Sequence, residues 1–235
     1  MMPDPDLDRF LARLARLRLP NTTNPYDRTR EGRRRLGNLR QYLAHFRSQD
    51  SSPSRFGRGG EERAGVGPNT CDVLLIAEAY GYRGGRVTGV PLSSEAVIEG
   101  DAAFRRWFPT LVDTYEPCRE GGAKKTEATA SIVWRLFASL DLAAPPCCWN
   151  IVPVHPFDPE RGQWSNRTPT RAEIDAGSVY CRDLIDLLKP RQVVAVGKCA
   201  ARGLSIAGID HLTIRHPSQG GATLFRTQLT QILQS

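Results

Sequence analysis

Cys147-Cys148-Trp149-Asn150-Ile151-Val152-Pro153 is a short apolar run that carries one amide and stops at a proline. It has the length and character of a strand buried on both faces of a sheet. Two other stretches share its form, a polar group where an apolar run ends. They are Asp72-Val73-Leu74-Leu75-Ile76-Ala77 running into Glu78-Ala79-Tyr80-Gly81-Tyr82, and His211-Leu212-Thr213-Ile214 running into Arg215-His216-Pro217-Ser218. A fourth strand, Gln192-Val193-Val194-Ala195-Val196-Gly197, is bounded by Lys189-Pro190 and a glycine. In an open parallel sheet all strand carboxyl ends share one edge, and ligands bind there. Glu78, Asn150 and His216 are therefore expected to face one pocket.

Helix-length segments lie between these strands: Phe104 to Tyr115, Thr126 to Leu140, Thr170 to Leu188 and Lys198 to Ile206. Thr170 with Glu173 three residues on reads as a capping box. Strands alternating with helices predict βαβ units. The fold expected is a three-layer α/β/α sandwich on a four-stranded parallel sheet, spanning residues 71–235. Residues 1–70 are expected to form an N-terminal helical extension and linker. Its helices run from Pro5 to Leu19 and from Thr29 to Phe46. Leu7, Phe10, Leu11, Leu14 and Leu17 make an apolar stripe at helical spacing. Ser48 to Thr70, rich in Ser, Gly, Pro and charge, reads as a mobile connector.

Charge is uneven along the chain. Of the net +7, residues 1–70 carry +6, with 14 Arg, no Lys and 8 acids. A guanidinium grips two phosphate oxygens at once, so this bias suits a polyanion, although the run Arg33-Arg34-Arg35 taken alone reads more often as a solvated helix face. No apolar run is long enough to span a bilayer, and Met1-Met2-Pro3-Asp4 opens without a signal-like apolar region. Cys71, Cys118, Cys147, Cys148, Cys181 and Cys199 form no C-x-x-C pair and read as free thiols of a cytoplasmic protein. No metal or cofactor is expected. Of the histidines outside the motifs, His45 reads as a surface helix residue, His155 as a rim residue near DNA, and His211 as the end of a loop.

Five stretches together resemble the uracil-DNA glycosylase superfamily, in its order and on its elements. They are Ala77-Glu78-Ala79-Tyr80-Gly81, Asn150-Ile151-Val152, Asn166-Arg167-Thr168-Pro169-Thr170, Pro190 through Leu204, and His216-Pro217-Ser218. The resemblance covers about Cys71 to Gly220. It implies base flipping and hydrolysis of an N-glycosidic bond in DNA. An Asn amide presents one acceptor and two donors, which match the N3–H and O4 edge of uracil and oppose that of cytosine. Asn150 is the residue implied to read the base. His216 is implied to donate to the developing base anion. Ala79, Tyr80, Gly81, Tyr82 and Leu92 are placed at the base, and Arg83, Arg86, Lys198, Arg215 and Ser218 at the DNA. The three loop motifs contain no Lys to form a Schiff base, which implies a monofunctional enzyme. It is expected to act as a monomer in base excision repair.

Three positions depart from the family pattern. Ala79 stands where the most active branch carries a water-positioning Asp, leaving Glu78 as the candidate for that role. Leu92 stands where a Phe stacks on the base, so Tyr80 or Tyr82 is expected to compensate. Gly81 stands where one branch carries a Tyr that bars the thymine methyl. The branch with the closest Asn-Arg-x-Pro turn ligates an iron–sulfur cluster through four Cys. This chain has no Cys before Cys71, and Val154 and Gly177 occupy the other two positions, so no cluster is expected. The alternative function is a member that binds DNA or lesions with little turnover. A nucleotide enzyme on a similar sheet is disfavoured by the absence of Gly-x-Gly-x-x-Gly and Gly-Lys-Ser/Thr after the strand.

Overall fold

A computed structural model describes residues 4–47, 71–117 and 126–234. The Ser48–Thr70 connector and Cys118 lie outside the described residues. The chain enters through α1 (Pro5–Leu14), β1 (Thr22–Thr23) and α2 (Arg30–His45). Strand β2 (Val73–Ala79) follows. Then come the short helices α3 (Gly85–Thr88), α4 (Glu95–Gly100), α5 (Ala102–Trp107) and α6 (Pro109–Thr114), and the longer α7 (Ala128–Ser139). Strand β3 (Cys147–Val152) runs into the two-residue β4 (His155–Pro156). The remainder alternates as α8 (Arg171–Leu188), β5 (Gln192–Val196), α9 (Lys198–Ile206), β6 (Leu212–Ile214) and α10 (Ala222–Leu233).

The main sheet has the order β3-β2-β5-β6, and every pairing in it is parallel. Its register sets Ala77 opposite Asn150, Leu75 opposite Val194, and Val196 opposite Ile214. The ends of β2, β3, β5 and β6 therefore reach the same edge. Strands β2 and β3 are apolar and buried almost throughout, as a sheet covered on both faces requires. Helices flank the sheet and complete the expected three-layer α/β/α sandwich. The Thr170–Glu173 capping box is present at α8. No helix among the described residues is long and apolar enough to cross a membrane.

Two helices differ from expectation for local reasons. The span from Phe104 to Tyr115 is two helices, because Pro109 lacks an N–H and takes the first position of α6. Helix α1 stops at Leu14 rather than Leu19. The Asn24 amide donates to the carbonyls of Leu14 and Leu17, at 2.8 and 3.0 Å, and the chain turns there.

The N-terminal helices are part of the core. Leu7, Phe10, Leu11 and Leu14 are all buried, and the Phe10 ring lies 5.7 Å from Trp149 of β3. Strand β3 is at the edge of the sheet, where backbone N–H groups lack a neighbouring strand. There the Tyr42 hydroxyl of α2 accepts from the Cys148 N–H at 2.7 Å. The two-stranded sheet of β1 and β4 ties the same segment to the loop after β3.

Within Arg33-Arg34-Arg35, neither a solvated face nor a phosphate-facing run describes Arg35. Arg35 is 7% exposed and donates to the Val87 carbonyl at 3.0 Å. Arg34 is ion-paired with Glu31 and Glu116. His45 is likewise not a surface residue. Its ring packs 4.7 Å from Phe108, and burial lowers its pKa to about 4.

Candidate active site

A cleft of about 520 Å³ opens at the strand ends. Glu78 and Ala79 reach it from β2, Asn150 from β3, Lys198 and Cys199 from the start of α9, and Arg215, His216 and Ser218 from the loop after β6. The sequence thus brings its three principal candidates to one site.

Asn150 is 2% exposed, and its Oδ1 has no hydrogen-bond partner among the described residues. An unsatisfied buried acceptor costs about 1–3 kcal/mol. Here it lies in the wall of a cleft, where a ligand N–H can satisfy it.

His216 is held by its own loop. The Ser218 backbone N–H donates to Nδ1 at 3.1 Å, and the Ser218 hydroxyl lies 2.7 Å from the same nitrogen. A nitrogen that accepts an N–H carries no proton, so the ring proton sits on Nε2. Burial lowers the His216 pKa, and the neighbouring Arg215 charge lowers it further. The site therefore contains a neutral imidazole with a donor at Nε2. Gly197, at φ +88°, makes room for it, because a Cβ there would lie 2.9 Å from the His216 Cβ.

Glu78 is half-buried, and burial raises its pKa. The Cys199 thiol donates to its carboxylate and opposes part of that rise. The same carboxylate, after burial, helps push the Cys199 thiol up to about 12, so the sulfur stays protonated. Glu78 is then a carboxylate in a partly dehydrated wall, suited to accept a proton from water near neutral pH.

Of the two tyrosines expected to compensate for Leu92, Tyr80 lines the cleft. The Tyr80 ring is buried against Gly85, and its hydroxyl lies 2.6 Å from that of Tyr26. Tyr82 does not line the cleft, and its ring faces the Arg83 guanidinium. Leu92 itself lines the cleft at φ +47°, a conformation that strains a non-glycine residue. The indole N–H of Trp134 holds its carbonyl at 2.9 Å. Gly81 also lines the cleft. A Cβ there would make ordinary contacts, with Asn166 and Glu127 at 3.9 Å, so a methyl group would fit without a clash.

Two sequence-predicted DNA contacts are placed elsewhere. Arg86 is 3% exposed, bonds to Gln163 Oε1 at 2.9 Å and lies 4.4 Å from the Trp164 ring centroid. His155 is fully buried, bridging the carbonyls of Tyr80 and Gln163. It fastens two loops together and does not form a rim. Arg83, Lys198, Arg215 and Ser218 are exposed.

Sequence reasoning gave no role to three residues of the cleft wall. Asn166 accepts from the Tyr82 N–H at 3.1 Å, which turns its amino group away from that contact. Glu127 caps α7 through the N–H groups of Thr129 and Ala130. Cys199 meets Glu78. The Asn-Arg-x-Pro stretch pointed to Asn166, but the other two carried no sequence signal.

The residues at the cluster positions do not fit a cluster. Val154 is apolar and fully buried. A Cβ at Gly177 would lie 2.0 Å from the Ile151 carbonyl oxygen, because α8 packs directly on β3. Among the described residues, no group of three or more His, Cys, Asp or Glu converges as a metal site.

Comparison with known proteins agrees with this geometry. Residues 64–228 match the family model described as the Uracil DNA glycosylase superfamily. No curated protein matches the chain. Among solved structures, that of SMUG2 from Pedobacter heparinus matches with a TM-score of 0.61 at 10% identity. The match covers 98% of this chain and 99% of that one.

Proposed function

The chain belongs to the uracil DNA glycosylase superfamily, and we propose that it is a monofunctional enzyme that hydrolytically removes uracil from DNA. The observation that carries this reading is the buried, unpartnered Oδ1 of Asn150 beside a neutral His216 in one cleft. A flipped uracil supplies what each lacks. Its N3–H satisfies Asn150 Oδ1, and the Asn150 amino group donates to O4. Cytosine opposes both contacts. The absence of a side chain at Gly81, which lines the cleft, extends the reading to other deaminated bases.

The reaction follows from these placements. As the bond from C1′ to the base breaks, negative charge moves onto the base, and the His216 Nε2–H hydrogen-bonds O2. A preorganised donor of this kind contributes about 3–4 kcal/mol. Water adds to C1′ and its proton passes to Glu78, leaving an abasic sugar and the free base. A neutral imidazole suits this task, since it donates a bond without having to lose its proton. Exposed Arg83, Lys198 and Arg215 lie along the phosphates. Residues 71–235 carry the chemistry as a monomer in the cytoplasm, and residues 4–47 brace it. The protein enters repair at base removal.

A labelled oligonucleotide with a single uracil, incubated with the protein and then treated with alkali, tests the reading. Cleavage at uracil and none in a thymine control is expected. Ala79, at the position of the family's water-positioning Asp, favours a second reading, a DNA-binding member with little turnover. Intact uracil, xanthine and hypoxanthine oligonucleotides, together with retained DNA binding, would establish that second reading instead.

A further inference from the structure

The loop between β4 and α8 holds an exposed aromatic residue that the cleft does not use. Trp164 is 41% exposed. Three residues further along the same loop, Asn166, Arg167 and Thr168, line the cleft. The loop leaves the carboxyl end of β3, so it stands at the edge of the sheet where ligands bind.

The loop is built to hold that ring still. Ser165 Oγ donates to the Gly162 carbonyl at 2.7 Å and accepts from the Asp158 N–H at 3.0 Å. Arg167 Nε donates to the Phe157 carbonyl at 3.0 Å and ion-pairs with Glu173. The Gln163 carbonyl is held by buried His155, and the Gln163 side chain by Arg86. The Arg86 guanidinium lies 4.4 Å from the centroid of the Trp164 ring. A buried cation thus supports a partly exposed indole, with Arg161 exposed on the same loop and Arg83 exposed on the loop after β2.

We propose that Trp164 is a stacking platform for an unpaired nucleobase of the DNA strand beside the expelled nucleotide. This rests on the glycosylase reading, since flipping leaves neighbouring bases without a stacking partner. Base–aromatic stacking tolerates any sequence, because every base has a π-face, and a guanidinium behind the ring adds to it. The nearby positive charges suit the phosphates on either side of such a base. The site therefore selects unpaired nucleic acid rather than a particular base.

The chain's composition provides the readout. Of its four Trp, Trp107 is 9% exposed, and Trp134 and Trp149 are fully buried. Trp164 alone among them is accessible to a stacking base. Tryptophan emission of the full-length protein is titrated with a uracil-free single-stranded oligonucleotide, and separately with its fully paired duplex. Single strands are expected to quench emission and the duplex to leave it nearly unchanged. Trp164→Phe should abolish the quenching while retaining most of the affinity, and Trp164→Ala should weaken single-strand binding by roughly 5- to 150-fold. Circular dichroism and thermal melting confirm that the variants are folded. Absence of quenching by single strands overturns the proposal, as does single-strand affinity of Trp164→Ala within twofold of the parent. Excision of uracil is scored on the same preparations. Quenching without excision would remove the glycosylase reading and leave the platform. Excision without quenching would remove the platform alone.

Discussion

Replacing Asn150 by Asp probes the base-reading contact with almost no change in shape. Asn150 is 2% exposed, so whatever its side chain faces in the bound state is largely dehydrated. With uracil in place, the amide accepts from N3–H and donates to O4. The carboxyl group loses the donor, and O4 then faces an oxygen. Each buried polar group left unsatisfied costs about 1–3 kcal/mol. Two groups are affected, O4 and the facing oxygen, giving about 2–6 kcal/mol, or a fall in kcat/KM of about 30- to 20,000-fold. The ionised carboxylate offers only acceptors, one of which can receive the N4 amine of cytosine. The assay is single-turnover cleavage of uracil and cytosine oligonucleotides with an alkaline work-up, alongside thermal melting as a control on folding. A large loss on uracil with measurable release of cytosine is expected. Uracil kcat/KM within threefold of the parent in a folded Asn150→Asp protein would refute the reasoning.

Three further outcomes follow from the packing. Tyr26→Phe removes a buried hydroxyl that meets Tyr80 and the Gly89 carbonyl, so denaturant unfolding should show a loss of about 1–3 kcal/mol. The folded-state pKa of His45, about 4, lies below its unfolded value near 6.5, so the unfolded chain binds the extra proton first. Stability should therefore fall as pH drops from 6.5 towards 4, by about 1–3 kcal/mol after allowance for partial exposure, and His45→Leu should flatten unfolding curves across that window. Arg35→Ala should lower the melting temperature with little change in the salt dependence of DNA binding, whereas Arg215→Ala should flatten that dependence by about one phosphate contact.

The sheet was legible because its strands are short apolar runs, two of them closed by Pro153 and Gly197, and those signals are local. Asn150, Glu78 and His216 were legible for the same reason, since each is a polar group at the end of such a run. The partners that fix their state were not. The proton on His216 is placed by the backbone N–H of Ser218, which depends on the conformation of the loop. The Cys199 thiol meets Glu78 only because the start of α9 passes the end of β2. The burial of Arg35 depends on the Val87 carbonyl, 52 positions away, and a run of three Arg looks the same in sequence whether it meets solvent or backbone. Tyr80 lines the cleft, but the bond that fixes its hydroxyl comes from Tyr26, 54 positions away, and carries no local signal.

The N-terminal residues contribute to the site through contacts that converge on the loop after β2. Tyr26 bonds the Gly89 carbonyl, Arg35 that of Val87, and Asn38 that of Thr88 at 2.9 Å. Three successive carbonyls of the α3 turn are thus held by side chains from one segment. That turn also packs against Tyr80 through Gly85, so its position sets the course of the backbone from Glu78 to Gly81. On the opposite side of the fold, Tyr42 satisfies the outer edge of β3, the strand that carries Asn150. Both polar walls of the cleft are therefore fixed from behind by residues 26–42. A rigid wall matters for this chemistry, because a donor or acceptor stabilises developing charge only if it need not reorganise. Part of the excess of Arg in the N-terminal segment is therefore used inside the protein. Arg35 acts on the Val87 backbone carbonyl, and Arg47 joins Asp4 to the Leu187 carbonyl at the end of α8.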